Sequence, residues 1–199
     1  MRFGHALVAG CLCFVSLGSA NLGAAEDEVG RRWDYRLLAT NKTSTMQKEM
    51  GEAADAGYRF QGVMGGQTSF GGSEVVVIMA RDPAAPPKPA YEYKLLATNK
   101  TSTMQKEMQE AADAGFEYVG QTVFASTFGG KEVVALMERP REASSSRHEY
   151  KLLATSKTST TQKEMLEAGA AGFGYCGVTV GETMLGGKEL VVITKRPRR

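Results

Sequence analysis

Tyr93-Lys94-Leu95-Leu96-Ala97-Thr98 is the stretch that decides the fold, because the chain contains it three times. It occurs earlier as YRLLAT at residues 35–40 and later as YKLLAT at residues 150–155. Around these copies, residues 33–82, 91–140 and 148–197 align without a gap, so the leading tyrosine recurs after 58 and then 57 residues. This period is slightly longer than the roughly 20–50 residues of solenoid repeats, and it predicts small domains in tandem or one pseudo-symmetric body.

The middle copy begins with a pattern typical of a strand followed by a helix. Tyr93 and Leu95 fall on one face of residues 91–98, which predicts a first strand there. Ser102-x-x-Gln105 has the form of a capping box, in which a hydroxyl and an amide satisfy free backbone donors at a helix start. Behind it comes an apolar stripe of helical period, formed by Met104, Met108, Ala111 and Ala112.

The rest of the copy predicts a hairpin. Gly115 suits the left-handed residue that follows a helix, and residues 116–119 open a second strand. Gly129-Gly130 supplies a turn, and residues 131–138 form a third strand paired with the second. The other two copies have the same pattern. The sequence therefore predicts an α+β fold of three tandem β-α-β-β repeats, each with a mainly antiparallel three-stranded sheet and one helix on one face.

Prolines mark the edges of the repeats. All six prolines lie at or beyond these edges, and proline blocks helix and sheet interiors. We therefore divide the chain into repeat 1 (33–82), repeat 2 (91–140) and repeat 3 (148–197). Residues 83–90 are a Pro-rich linker, and residues 141–147 are a polar one.

The third strand of each repeat is apolar on both faces, as in VVVIM at residues 75–79 and VVALM at residues 133–137. One helix covers only one face of a sheet, so the second face needs another cover. A unit of about 50 residues without disulfides or metal is also marginal alone. We therefore expect the copies to pack together around a shared core.

The first 25 residues resemble a secretory signal peptide. A basic start precedes an apolar run at residues 6–19, which is too short to span a bilayer comfortably, and small residues offer cleavage after Ala20 or Ala25. The acidic residues 26–28 favour the second site. We expect export to the periplasm or the outside of the cell, with no transmembrane segment in the mature chain. Lipid anchoring at Cys11, in VAGC, is disfavoured because it would leave only ten residues of signal.

Cysteine content and charge exclude several classes of protein. Cys11 and Cys13 lie in the signal, so Cys176 alone remains and no intrachain disulfide can form. We interpret Cys176 as a half-buried strand residue; an intermolecular disulfide or a reactive thiol is the alternative. The formal net charge of +2 argues against a nucleic-acid groove, and the basic C terminus, residues 195–199, is typical of a solvated tail.

Three short motifs resemble a known small domain. They are Tyr91-Glu92-Tyr93-Lys94, Gly115-Phe116-Glu117-Tyr118 and Glu138-Arg139-Pro140, with partial counterparts in repeat 3 at residues 150–151, 172–173 and 195–197. This outline is similar to the bacterial domain of unknown function 4177, which often has Trp after the glycine where this chain has Tyr58, Phe116 and Phe173. The resemblance covers all three copies. It implies a small α+β domain of bacterial proteins and brings no catalytic residues.

The residues offer little for catalysis. General acid–base or nucleophilic chemistry needs a group that titrates near neutrality, or a nucleophile beside a base. After the signal, the chain has one His and one Cys, and no metalloprotease, redox, hydrolase or P-loop motif. His148 aligns with Trp33 and Tyr91, so we interpret it as a packing residue in an aromatic position. We predict no catalytic residue, no metal site and no cofactor.

The best ligand-binding candidate is a Lys-Thr-Ser loop before each predicted helix, where free N–H groups and the helix dipole favour an anion. Helix capping alone also explains the hydroxyls. The loops comprise Lys42, Thr43, Ser44, Lys100, Thr101, Ser102, Lys157, Thr158 and Ser159. The Gln-Lys-Glu run that follows, at residues 47–49, 105–107 and 162–164, is typical of a solvated helix face.

These observations favour an exported, non-enzymatic repeat protein that serves as a binding, interaction or structural module of the cell envelope. Its expected partner is another protein or a second copy of the chain, and nucleic acid is not expected. The alternative is a binder of small anions or small molecules that uses the three Lys-Thr-Ser loops. An enzyme acting on envelope material is the third hypothesis, and the missing motifs disfavour it.

Overall fold

The computed structural model describes residues 32–67, 73–85, 90–98, 100–125, 131–142, 147–182 and 188–198. From Arg32 onward the chain forms one compact unit. The predicted signal peptide, the Gly129-Gly130 turn, half of the Pro-rich linker and most of the polar linker lie outside the described residues. Among the helices that are described, none is long and apolar enough to cross a membrane.

Each repeat has the predicted order of elements. Repeat 1 contains β1 (Asp34–Thr40), α1 (Thr43–Asp55), β2 (Arg59–Gln67) and β3 (Ser73–Arg81). Repeat 2 contains β4 (Tyr91–Thr98), α2 (Thr101–Asp113), β5 (Glu117–Ala125) and β6 (Lys131–Pro140). Repeat 3 contains β7 (His148–Thr155), α3 (Thr158–Ala170), β8 (Gly174–Glu182) and β9 (Lys188–Pro197). The predicted α+β class with three β-α-β-β repeats is confirmed.

The third strand of each repeat lies in the middle of its sheet. The strand orders are β1-β3-β2, β4-β6-β5 and β7-β9-β8, and every pairing is antiparallel. The predicted pairing of the second and third strands is confirmed. Each second strand has a β-bulge near its start, at Gln61, Val119 and Cys176, where the register shifts by one residue. Bulges of this kind redirect backbone groups, and these bulges lie where one repeat meets the next.

An arginine in the third strand locks each helix to its sheet. In repeat 2, Arg139 pairs with Glu92 of β4, donates from Nη1 to the carbonyl of Ala114 at 2.9 Å, and stacks over the Phe116 ring at 4.5 Å. Gly115 between them has φ of +86°, the left-handed conformation predicted for the end of the helix. The equivalent sets are Arg81, Asp34, Ala56 and Tyr58 in repeat 1, and Arg196, Glu149, Ala171 and Phe173 in repeat 3.

The first two helices, α1 and α2, bury the whole predicted stripe. Met104, Met108, Ala111 and Ala112 of α2 are buried, as are Met46, Met50, Ala53 and Ala54 of α1. These methionines fill the core, as the sequence predicted. Because strand residues alternate, each sheet has an inner face, which carries its own helix, and an outer face, which points away from it.

The outer face of each later repeat is covered by the repeat before it. Tyr93, Val134 and Leu136, on the outer face of repeat 2, belong to one buried cluster with Met46 and Val77 of repeat 1. Tyr150 and Ile193 of repeat 3 join the core of repeat 2 in the same way. The predicted packing of copies around shared cores is therefore correct. We call the two contacts the first junction (repeats 1 and 2) and the second junction (repeats 2 and 3).

Candidate functional site

The Lys-Thr-Ser loops stand at the helix starts, as predicted, but their hydroxyls do not cap them. The helices begin at Thr43, Thr101 and Thr158, and the lysine before each is the N-cap residue, with no capping hydrogen bond from its side chain. Instead, the threonine that ends each first strand accepts a hydrogen bond from the backbone N–H of the lysine. These bonds join Thr40 to Lys42 at 3.3 Å, Thr98 to Lys100 at 3.1 Å, and Thr155 to Lys157 at 3.2 Å.

The predicted capping box of Ser102 and Gln105 is wrong. Ser102 lies inside the first turn of α2, not at its cap, and the Gln105 side chain contacts the following repeat. Its amide donates to the carbonyl of Tyr150 at 2.6 Å and accepts from the N–H of Leu152 at 2.7 Å. These two bonds cover the free edge of β7, which would otherwise present unpaired backbone groups. This geometry explains the preference of Gln105 for a partner outside its own helix.

The three loops lie in different surroundings. Thr43 and Ser44 line a groove of about 510 Å³, which Lys94, Glu107 and Glu110 of repeat 2 also line. The next loop donates from the Thr101 hydroxyl to the Glu189 carboxylate at 2.7 Å. Lys157, Thr158 and Ser159 of the last loop are exposed. The carboxylates beside the first two loops oppose a bound anion, and anion binding by the nine predicted residues stays a prediction.

The first junction is organised around a buried carboxylate. The side chain of Glu138 is only 6% exposed, and its Oε1 accepts from Arg59 of repeat 1 at 2.8 Å. Its Oε2 accepts from the Tyr93 hydroxyl at 3.0 Å, and that hydroxyl in turn accepts from the bulge N–H of Phe60 at 2.9 Å. Arg59 also stacks over the Tyr91 ring at 4.2 Å. The carboxylate is thus paired and hydrogen-bonded, the condition under which burial of a charge is tolerated.

The second junction repeats this arrangement with the charges exchanged. The Tyr150 hydroxyl accepts from the N–H of Tyr118 at 2.8 Å, as Tyr93 does from Phe60. The acid now belongs to the earlier repeat and the base to the later one, because Lys195 donates to Glu117 at 3.1 Å. His148 lies 3.6 Å from the same carboxylate and close to the Tyr150 ring, in agreement with its predicted packing role.

Cys176 lies beside this group, half-buried against the second core. Burial raises the pKa of its thiol, which disfavours the nucleophilic thiolate. Its predicted role as a half-buried strand residue is confirmed. In the described residues no group of three or more His, Cys, Asp or Glu side chains is arranged to hold a metal ion.

Burial also perturbs the tyrosines of both junctions. It raises the pKa of Tyr93 and of Tyr150 above the ordinary value of 10.0, and the nearby carboxylates Glu138 and Glu117 add to these increases. The hydrogen bond to Glu138 raises the pKa of Arg59. Burial at the junctions therefore favours the neutral form of both hydroxyls.

Helix glutamines fasten the junctions. Gln47 of α1 accepts from the N–H of Leu95 at 2.9 Å, which is the bond Gln105 makes to Leu152 one repeat later. Gln109, one turn further along α2, donates to the carbonyl of His148 and accepts from the N–H of Tyr150. The prediction of a solvated face therefore fails for Gln105, which is half-buried against β7, whereas Gln47 stays exposed although it bonds to Leu95. It holds for Lys48, Lys106 and Lys163, which are largely exposed and pair with Glu52, Glu110 and Glu167 one turn along.

At each junction an aromatic ring of the earlier repeat packs against a glycine of the later one. A Cβ atom added at Gly120 would lie 3.0 Å from Cζ of Phe60, and one at Gly177 would collide with the Tyr118 hydroxyl. The absence of a side chain at these two positions lets the ring of the earlier repeat lie against the later sheet. The buried amide of Gln121, beside Gly177, has no hydrogen-bond partner among the described residues.

Among the described residues, nothing covers the two ends of the array in this way. The exposed large apolar side chains of the described residues fall into two groups, one at each end. The first group lies on or beside the outer face of repeat 1 and the second on the inner face of repeat 3; we call them the open outer face and the open inner face. The open outer face carries Trp33, Tyr35, Leu37 and Met64, and the open inner face carries Leu166, Tyr175, Val178 and Val180.

Sequence reasoning missed these surfaces. One signal was present, because Arg59, Glu117 and Gly174 occupy one aligned position and Ala80, Glu138 and Lys195 occupy another. The signs at these positions exchange from one repeat to the next, which is a pattern that contact between repeats would produce.

Comparisons of the chain with protein-family models, curated proteins and solved structures found no match.

Proposed function

We propose that this protein is an exported, non-enzymatic interaction module of the cell envelope, and that its two open end faces bind protein. The observation that carries the proposal is the concentration of exposed apolar side chains at the two ends of the array. Leu37 is 63% exposed and Leu166 is 65% exposed, whereas the aligned residues Leu152 and Gln109 make hydrogen bonds across the second junction. Contiguous apolar surface of this kind marks sites of protein interaction.

The chemistry at the junctions supports a binding role over catalysis. Glu138 pairs with Arg59 and accepts a hydrogen bond from Tyr93, and Glu117 pairs with Lys195, so both carboxylates already have partners that hold the repeats together. Burial keeps Cys176 in its thiol form. Catalysis would need a titrating group free to meet a substrate, and these groups are committed to packing.

Export follows from the first 25 residues, whose basic start, apolar run and small residues have the form of a signal peptide. The proposal places the mature chain in the periplasm or outside the cell. N-terminal sequencing of the protein recovered from that compartment tests the placement, and a start at Asn21 or Glu26 is the expected result.

Site-specific crosslinking in the producing cell tests the binding role. The photoreactive residue p-benzoylphenylalanine would replace Leu37, Leu166 or, as a control, Lys106, which is 78% exposed on the solvated face of α2. Irradiation is expected to give discrete protein adducts from the first two positions and none from the control. Equal labelling at all three positions, or no adduct at either end, would overturn the proposal.

A further inference from the structure

Each junction joins the inner face of one repeat to the outer face of the next, and within the described ranges one half of each kind is left over. Repeat 3 presents an inner face and repeat 1 presents an outer face. We propose that the open inner face of one chain binds the open outer face of a second copy, which forms a third junction between molecules. This inference rests on the proposed function, and it names the partner.

The aromatic ring and the glycine of the third junction are both in place. At the first junction Phe60 lies against Gly120, and at the second Tyr118 lies against Gly177. The ring aligned with these on the open inner face is Tyr175, and the glycine aligned with these on the open outer face is Gly62. Tyr175 is 60% exposed, and a Cβ atom added at Gly62 would have nothing within 4 Å. The open inner face therefore presents an aromatic ring that packs against no glycine of a following repeat. The open outer face presents a glycine against which no ring packs.

The hydrogen-bonding groups also match. Tyr35 aligns with Tyr93 and Tyr150, whose hydroxyls accept from bulge N–H groups, and it is 67% exposed. The aligned bulge N–H belongs to Tyr175. Gln162 of α3 is exposed and aligns with Gln47 and Gln105, and the backbone N–H that it would reach belongs to Leu37.

At the third junction both surfaces lack the charged residues that form ion pairs at the other two. Arg59 faces Glu138 and Glu117 faces Lys195, and the aligned pair for the third junction is Gly174 and Ala80. A second ion pair joins the end of each helix to the residue after the third strand of the next repeat, Asp55 to Arg141 and Asp113 to Arg198. Its aligned counterparts are Ala170 and Pro83.

This pattern gives the third junction a specific partner. A partner surface that carried Glu138 or Lys195 would bury that charge opposite Gly174, with no opposite charge to meet it. Leaving a charge unpaired is costly, so the uncharged inner face selects the uncharged outer face. Apolar side chains also replace polar amides on the open inner face, since Leu166 stands where Gln109 contacts the edge of β7 and Val178 stands where Gln121 is buried.

The contact is head to tail, because the two surfaces differ. A heterologous contact of this kind leaves one open face of each sort on every dimer, so association continues into a ring or a filament. Each added copy extends the array by three repeats.

Mixing two blocked variants tests the direction of the contact. Leu37→Asp blocks the open outer face and Leu166→Asp blocks the open inner face, and both positions are exposed in the single chain. A carboxylate buried against an apolar face should weaken the contact at least about 100-fold. In sedimentation velocity over a range of concentrations, the purified native chain should rise above monomer mass. Each variant should remain a monomer, and an equimolar mixture should form a dimer and stop there.

Gly62→Val provides a second block that does not disturb the single chain, because the space beside Gly62 is open. At high dilution it should keep the native thermal midpoint, and at higher concentration it should fail to associate, whereas Lys106→Ala, on the solvated face of α2, should associate like the native chain. A native chain that stays a monomer at all concentrations, or a mixture of blocked variants that forms no dimer, would overturn the inference. A symmetric contact would show itself if Leu166→Asp alone still formed dimers, and that result also overturns it.

The outcomes separate this inference from the proposed function. If the purified chain is a monomer and the crosslinking experiment still traps a different protein at Leu37 or Leu166, the proposed function stands and only self-association fails. If the cell yields no adduct at either position and the purified chain stays a monomer, both fail.

Discussion

The outer faces of repeats 1 and 2 have nearly the same first strand and different surroundings. YRLLAT of β1 and YKLLAT of β4 differ at one residue, but Tyr35 is mostly exposed whereas Tyr93 is buried with both hydroxyl partners satisfied. The difference comes from the preceding repeat, which exists for β4 and not for β1 among the described residues. Burial in this array is therefore set by the position of a repeat in the chain and not by its local sequence.

The largest expected effect compares a core residue on the two faces. Leu136 of β6 is fully buried in the first junction, and its counterpart Ile78 of β3 is half-buried on the open outer face. Leu136→Ala should lower the free energy of unfolding by about 3–4 kcal/mol, because it leaves a cavity that both repeats line. Ile78→Ala should cost about 1 kcal/mol, because the half-buried Ile78 side chain buries less apolar surface on folding than Leu136 does. Urea unfolding monitored by circular dichroism measures both.

The unfolding should be done at high dilution, so that association through the end faces adds nothing to stability. Equal losses for Leu136→Ala and Ile78→Ala would mean that the open outer face is covered in the single chain, contrary to the comparison.

The second comparison adds a side chain where the structure has none. Gly120→Val should destabilise the chain by about 2–3 kcal/mol, because the new side chain meets the Phe60 ring. Gly62→Val should change stability by less than about 0.5 kcal/mol, because its surroundings are open and valine suits a strand. Thermal unfolding of the two variants beside the native chain gives the difference. A destabilised Gly62→Val would show that the glycine serves the fold of repeat 1 itself.

Periodicity and turn residues were enough to predict each repeat. Alternation in residues 91–98, the methionine stripe of α2 and the left-handed Gly115 are local features, and local geometry determines them. The apolar character of both faces of β3 and β6 also predicted that one repeat must cover another. What the sequence could not provide was which face meets which, because that depends on strand order and on contacts between residues 30 to 90 positions apart.

The wrong capping box shows the same limit at one residue. Ser102 and Gln105 have the spacing of a cap, and nothing within α2 argues against it. Gln105 bonds instead to two backbone groups at the edge of β7, more than 40 residues away. Edge groups that water cannot reach gain more from a partner than exposed groups at a helix start do. Such competition is decided by tertiary contacts, which a local motif does not contain.

The third comparison uses pH. Burial raises the pKa of Tyr93, so the folded state keeps a proton that the unfolded chain releases above about pH 10. Stability that is present below pH 10 should therefore fall as pH rises, by about 1.4 kcal/mol per pH unit for each such tyrosine. In Tyr93→Phe the free energy of unfolding should fall less steeply above pH 10, because unfolding of this variant releases one proton fewer. Tyr35→Phe, which removes the same hydroxyl from an exposed ring, is the matched control.

Urea midpoints collected between pH 8 and pH 11 give the slopes. If Tyr93→Phe follows the native decline throughout, other groups cause it, and the Tyr93 hydroxyl does not hold its proton as the junction geometry indicates. The loss of the bonds to Phe60 and Glu138 should also lower the stability of this variant at pH 8.

The smallest expected effect concerns the glutamines that cover strand edges. Gln105→Ala removes both bonds to β7 and should cost about 1 kcal/mol, whereas Gln162→Ala should be neutral in the dilute chain because Gln162 is exposed and no described repeat covers α3. Hydrogen exchange at the Leu152 amide provides a local readout, since that N–H loses its partner in Gln105→Ala and keeps it in Gln162→Ala. At concentrations where the chain associates, Gln162→Ala should acquire a cost of its own, because its counterpart amide at Leu37 then belongs to the next molecule. A Gln162→Ala variant that is already destabilised at high dilution would mean that α3 uses this side chain within its own repeat, and that the open inner face differs from the covered ones in more than its missing neighbour.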